Sequence, residues 1–263
     1  MHVFHRIILT GLLLIGPVNG YAVSQQTDSV PTYNYETIKS FAKKVERTAA
    51  EKQAHVFLLA RIGRPRNELP RGINYTHVGI AMYSMIQLDD GRQVPGYAIY
   101  SLYQDDNEPD KSDLHVDFPM QFFSGVYELK AGIIIPNQEL QRRLHKVVLS
   151  DAYKKLHNPK YSAISNPFDA SFQNCTEHTL DLIQAAIYNT DDIRTIKARN
   201  QQYFQPQKVR VNPFKLLFGS LFSSDIALSD HVDKDVETAT FTTLGRYLQD
   251  YELLDDWITV TPD

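Results

Sequence analysis

The spacing of apolar positions predicts strands in the first half of the chain and helices in the second. An amphipathic helix is expected between Thr32 and Ala54, and the apolar run at 55–62 is typical of a buried strand. Another strand is expected at 126–135. Further along, helices are predicted at 137–151, from 175 onwards, at 192–203, at 213–222 and at 244–251, with extended pieces at 209–211 and 239–243. Strands grouped early and helices late favour an α+β fold over an alternating parallel sheet.

A β-hairpin gives the clearest local signal in the sequence. Its first strand covers residues 77–83 and its second covers residues 94–103. The turn between them, at 89–92, contains an Asp-Gly pair, which two-residue hairpin turns favour. We therefore expect an antiparallel sheet that contains these two strands.

The N-terminus has the pattern of a secretory signal. His2, His5 and Arg6 form a weakly basic start, and the apolar run at 7–16 is too short to span a bilayer. We expect residues 1–24 to be a signal peptide and residues 25–263 to form a single α+β domain. The mature protein is then expected to be periplasmic or secreted, and not an integral membrane protein after signal cleavage.

The net charge argues against a nucleic-acid partner, and the single cysteine needs an explanation. The 263 residues carry a net charge of −4, so the basic surplus typical of nucleic-acid-binding proteins is absent and we expect no nucleic-acid partner. The sequence has one cysteine, Cys175, which cannot form an internal disulfide. In an oxidising compartment an unpaired thiol is buried, paired with another chain, or functional.

The surroundings of Cys175 favour a functional thiol. Asn174 is a good N-cap residue and Glu177 follows three positions later, as in a capping box. Cys175 then occupies the first helical turn, where free N–H groups and the helix dipole favour a thiolate. We predict a thiol pKa below about 7.5. The alternative is a small buried residue without a chemical role.

A nucleophilic cysteine needs a base, and His77 is the strongest candidate. It begins the first hairpin strand, from which it can project toward a helix N-terminus packed there. His178 shares one side of the helix with Cys175 but cannot easily close on a substrate from the opposite side. A metal site built from Cys175, His178 and another histidine is a weak alternative, so we expect no metal or other cofactor.

Two short motifs carry a resemblance to known enzymes. Residues 76–81, Thr-His-Val-Gly-Ile-Ala, resemble the histidine strand of NlpC-like and LRAT-like papain-fold enzymes, and residues 174–178, Asn-Cys-Thr-Glu-His, resemble their nucleophile helix. The order of histidine before cysteine resembles the circularly permuted branch of that superfamily. The mature chain also resembles the bacterial family called domain of unknown function 2145, most clearly at 203–216 and 239–243.

The resemblance implies a fold and an activity. The expected fold is a permuted papain-like (NlpC-like) α+β domain, with an antiparallel sheet packed on the helix that carries Cys175 and a family-specific C-terminal extension. The expected activity is that of an exported thiol hydrolase or acyltransferase. It would act on an amide or ester bond of a cell-envelope substrate, either a peptidoglycan peptide or a lipid acyl group. The alternative is a catalytically inactive periplasmic binding module with the same fold.

The resemblance also assigns roles to residues. Cys175 corresponds to the nucleophile and His77 to the base, while Asn174 and His178 would lie near the substrate or the oxyanion. The residue that orients the base lies on the next strand in the relatives. Pairing across the turn places Gln104 nearly opposite His77, with Tyr100 or Ser101 as the choice if the register shifts.

Overall fold

An antiparallel sheet of six strands forms the centre of the computed structural model, which describes residues 33–88, 90–209, 227–231 and 236–263. Its strand order is β4-β3-β2-β1-β5-β8. The strands are β1 (Val56–Ile62), β2 (His77–Gln87), β3 (Gln93–Gln104), β4 (Ser112–Asp117), β5 (Glu128–Pro136) and β8 (Leu254–Val260). A separate two-stranded ribbon pairs β6 (Gln207–Val209) with β7 (Val236–Thr238).

Helices follow and flank the sheet. In the described ranges they are α1 (Tyr35–Glu51), α2 (Pro119–Phe122), α3 (Gln138–Val148), α4 (Ala152–Lys155), α5 (Cys175–Tyr188), α6 (Ile193–Tyr203) and α7 (Phe241–Asp250), with a short 3-10 turn at Arg66–Glu68. The predicted mixed α+β class with an antiparallel sheet is therefore confirmed. None of these helices has the length and apolar character that crossing a bilayer requires, as far as the described residues extend.

The two faces of the sheet pack against different helices, because successive residues of a strand point to opposite sides. On one face, Val78 and Ile80 of β2 join a core that includes Leu180 and Ile183 of α5. On the other face, Ala81 of the same strand joins a core that includes Phe41 of α1. The sheet thus packs on the helix that carries Cys175, as predicted.

The C-terminal region differs from the sequence prediction. Residues 239–243 have the β-branched, apolar character of a strand, but the Thr240 side chain accepts the N–H of Thr243 and begins α7 at Phe241. The prediction missed β8, an edge strand that pairs with β5. It also missed β4, which pairs with β3. The predictions for residues 1–24 and 213–222, and those for residue 89 of the turn and for residues 210–211, lie outside the described residues.

Candidate functional site

Asn174 fixes the start of the helix that presents the thiol. Its Oδ1 accepts the backbone N–H groups of Thr176 at 3.0 Å and Glu177 at 2.9 Å. Its own amide group donates to the carbonyl of Ala163 at 3.3 Å. The predicted N-cap is confirmed, and its hydrogen bonds make Asn174 a residue that positions Cys175 in the first turn.

The thiol of Cys175 lies where two strands of the sheet separate. The residue is 7% exposed, and its Sγ is 3.8 Å from Thr176 Oγ1. The backbone N–H of Val78 also lies close enough to the sulfur to lower the pKa of the thiol. Pairing between β2 and β3 begins only at Ile80 and Tyr100, two residues after Val78, so this N–H lies beyond the paired part of the strands.

The prediction of an acidic thiol is wrong for the resting structure. Burial raises the pKa of the Cys175 thiol, and this effect outweighs the Val78 N–H, the Thr176 hydroxyl and the charge of Arg61, which all lower the pKa. The prediction assumed that a first-turn side chain faces a loop. In the structure it faces the sheet, where a thiolate loses hydration.

His77 is a buried imidazole at the start of β2. It is 8% exposed, and its ring lies 4.2 Å from the ring of Tyr103 and 5.5 Å from that of Phe122, measured between centroids. Its Nε2 has no hydrogen-bond partner among the described residues. Burial, followed by the charges of Arg61 and His115, holds the pKa of His77 well below its usual range. The imidazole is therefore neutral at neutral pH and binds a proton more weakly than an exposed imidazole does.

Cys175 and His77 lie at the same end of β2 but on different faces of the sheet. Val78 joins the core beside α5, whereas His77, like Ala81, points to the other face and packs on Phe122. The N–H that reaches the sulfur belongs to Val78, the residue next to His77. Arg61 pairs with His77 across β1 and β2, and its charge lowers the pKa of both the thiol and the imidazole. That the two side chains work as a nucleophile and its base stays a prediction.

The residues predicted to orient the base have other neighbours. The Gln104 amide donates to the carbonyl of Pro109 at 2.8 Å, and the Tyr100 ring packs on Tyr153 in the core beside α5. Extending the observed register from Gln87–Gln93 and Ile80–Tyr100 places Tyr103 opposite His77. Because a shift of one residue changes the face of a strand, Tyr103 and Ser101 share the His77 face, whereas Tyr100 and Gln104 do not.

An acid lies behind Tyr103, and sequence reasoning missed both residues. The Tyr103 hydroxyl donates to Asp117 Oδ2, and the His115 ring packs edge-on against Tyr103 at 5.3 Å. Burial raises the pKa of Asp117. An exact residue count across the hairpin turn could have identified Tyr103. No comparable signal pointed to Asp117, because its strand, β4, was not predicted.

His178 has a structural environment. Its Nε2 lies 3.2 Å from the carbonyl oxygen of Tyr153, and burial lowers its pKa to about 3. Its imidazole is therefore neutral and held in the core. Within the described part of the chain, no group of three or more histidine, cysteine or acidic side chains is arranged to hold a metal ion.

A buried cluster of charges lies one turn below Cys175. Lys197 Nζ from α6 contacts Glu177 Oε1 at 2.5 Å and Asp181 Oδ2 at 2.9 Å, and both acids are on α5. Burial raises the pKa of Glu177 to about 8. Glu177 therefore bonds to Lys197 and does not complete the predicted capping box. The cluster holds α6 against the first two turns of α5.

Comparisons with known proteins identify a family but no activity. The family model described as an uncharacterized protein conserved in bacteria (DUF2145) matches residues 48–248. Neither the curated proteins nor the solved structures give a match to the chain. The matched segment contains both sequence motifs, the strand of His77 and the helix of Cys175.

Proposed function

This chain belongs to the bacterial family DUF2145, and from its site we propose that it is an exported cysteine hydrolase or acyltransferase. The nucleophile is Cys175 and the base is His77. The observation that carries the proposal is the arrangement at the start of β2. There the Val78 N–H lies close to the thiol, and the preceding residue carries a buried, neutral imidazole that points to the other face of the sheet.

The reaction follows from the protonation states of the two groups. His77 takes the thiol proton as Sγ bonds to the carbonyl carbon, so that charge develops only when substrate is present. The C–N or C–O bond then breaks, and His77 gives the proton to the leaving nitrogen or oxygen. Water or another nucleophile attacks the resulting thioester and loses its proton through His77, which restores the thiol.

Two features of the fold stabilise the charges that form. The carbonyl oxygen becomes negative during attack, and in this proposal the positive end of α5, where Cys175 stands, stabilises that charge. Tyr103, held by Asp117, packs against the His77 ring and limits its rotation. We assign Tyr103 and Asp117 as positioning residues.

The wider context is part of the same proposal. The strand of His77 precedes the helix of Cys175 in the chain, and that helix packs on an antiparallel sheet, which supports a permuted papain-like fold. The signal-like residues 1–24 support a periplasmic or secreted location. A peptidoglycan peptide or a lipid acyl group is the substrate class suggested by the resemblance.

A specific observation favours a second function. The thiol is buried and its pKa is raised, as in a cysteine that only fills space. A binding module that keeps the fold without the chemistry would have such a cysteine. The two functions differ in whether Cys175 can form a thioester.

Acylation by p-nitrophenyl acetate separates these functions. The full mature chain is mixed with the ester, quenched in acid, and examined by intact and peptide mass spectrometry. We expect one acetyl group on Cys175, none in Cys175→Ala, and acylation about 10²–10⁴-fold slower in His77→Gln. His145→Gln, a change on α3, is the matched control and should behave as wild type. Acylation at lysines alone, or equal rates in wild type and His77→Gln, would favour the binding module.

A further inference from the structure

Arg61 is a cation that forms no ion pair among the described residues, although its charge acts on Asp117 and on the Cys175 thiol. It lies on β1 directly opposite His77. Its guanidinium carbon is 5.5 Å from the centre of the Tyr103 ring and 5.1 Å from that of Phe122, and its Nη1 donates to the Phe122 carbonyl. Rings and one carbonyl orient the group without neutralising its charge.

Arg61 differs from Lys197, a buried cation that has acidic partners. Lys197 contacts two carboxylates, Glu177 and Asp181, as buried charges usually do. Arg61 makes no ion pair with any described residue, although it is half-buried. Asp117 accepts a hydrogen bond from the Tyr103 hydroxyl, and the Arg61 charge acts to lower its pKa although the two side chains form no ion pair.

Two nitrogen atoms in this cluster also lack hydrogen-bond partners. Arg61 Nε and His77 Nε2 are both buried without a hydrogen-bond partner among the described residues. Buried polar atoms without a partner are rare in folded proteins and call for an explanation. Arg61, Tyr103 and His115 are only partly buried, so the cluster has an open rim. A ligand oxygen that enters there would meet a guanidinium whose Nε has no hydrogen-bond partner among the described residues.

We propose that Arg61 binds an anionic oxygen group of the substrate, a carboxylate or a phosphodiester, next to the bond that Cys175 attacks. The proposal deepens the proposed function and rests on it for the identity of the attacking group. A single guanidinium beside a neutral imidazole, with Asp117 within reach of its charge, favours a monoanion over a dianion. Both of these groups can accept two parallel hydrogen bonds from arginine.

A pair of alkylating reagents of nearly equal size tests the charge preference. Iodoacetate and iodoacetamide both form an S–CH₂ bond with Cys175 and release iodide, but only iodoacetate is an anion. We expect the ratio of their rates at Cys175 to fall about tenfold or more in Arg61→Gln. Arg64→Gln removes an exposed arginine three residues away and should leave the ratio unchanged. An equal loss of both rates in Arg61→Gln would overturn the proposal, because Arg61 would then act on the thiol and not on an anion.

An equilibrium measurement keeps the proposal testable if the thiol reacts with neither reagent. Thermal unfolding is followed with sodium acetate, sodium dimethyl phosphate, or sodium chloride at the same ionic strength. We expect acetate or dimethyl phosphate to raise the melting temperature of wild type above the chloride value, and this gain to vanish in Arg61→Gln. The more effective anion identifies a carboxylate or a phosphodiester as the natural group. Stabilisation of an unreactive protein would refute the enzyme and retain the anion site, whereas no gain from either anion would overturn the site.

Discussion

Replacing Lys197 by methionine tests whether the charge cluster beneath Cys175 holds the site in place. Lys197 contacts Glu177 at 2.5 Å and Asp181 at 3.0 and 2.9 Å, in a region where both acids are fully buried. Removing the cation leaves acids that have lost their counter-charge. Breaking a buried pair in this way typically costs about 3–5 kcal/mol.

Two features place the expected cost near the lower end of that range. Asp181 keeps hydrogen bonds from Gln173 at 2.9 Å and from Asn200 at 3.1 Å. Glu177, with a pKa raised by burial to about 8, can hold a proton at neutral pH. We therefore expect Lys197→Met to lower the free energy of unfolding by about 3 kcal/mol at pH 7.

Urea unfolding of the mature chain, followed by circular dichroism, measures this change. Lys155→Met is the matched control, because Lys155 pairs with Asp191 on the surface, where the two side chains are 57% and 50% exposed. Lys155→Met should lower the free energy of unfolding by at most about 1 kcal/mol. If Lys197→Met costs no more than Lys155→Met, the cluster does not stabilise the packing of α6 on α5, and our account of the helix is refuted.

Two further predictions concern the same helix. Because burial raises the pKa of Glu177 to about 8, the folded state keeps a proton that the unfolded chain releases, so wild-type stability should fall relative to Glu177→Gln between about pH 5 and pH 8. Urea unfolding of both proteins at the two pH values measures this change. A difference in unfolding free energy that stays constant with pH would contradict it. His178 has the opposite effect on stability at acidic pH but is present in both proteins, so it cancels in the comparison. Asn174→Ala should lower the free energy of unfolding by about 0.5–2 kcal/mol, because two backbone N–H groups lose their acceptor, whereas Asn174→Asp should retain most of the stability. Equal losses in the two variants would show that the helix cap is not the cause.

Patterns carried by local chemistry were predicted well. The amphipathic helix α1, the hairpin of β2 and β3, and the Asn174 cap all follow from residues close together in the sequence. Each depends on interactions within one element or across one short turn. The fold class and the position of Cys175 in a first helical turn followed from these signals.

Features that depend on distant packing were not predictable. The β-branched run at 239–243 looks like a strand, and only the Thr240 cap makes it the start of α7. The high pKa of Cys175 depends on the face of the sheet that covers the thiol. Tyr103 required the exact register of the hairpin, and Arg61 required knowledge of which strand lies beside β2. Sequence spacing contains none of this three-dimensional information.

The pH dependence of Cys175 acylation by p-nitrophenyl acetate tests the central claim most directly. In our account His77 is neutral and the Cys175 thiol is protonated near pH 7. The rate then depends on the neutral imidazole and the protonated thiol, and the populations of both stay nearly constant as the pH changes. We predict a nearly flat rate between about pH 6 and pH 8 in wild type. In His77→Gln only the thiolate can react, and the rate should be lower and rise about tenfold per pH unit. A tenfold rise per unit in both proteins, with equal rates, would show that Cys175 works without His77 and would contradict the account.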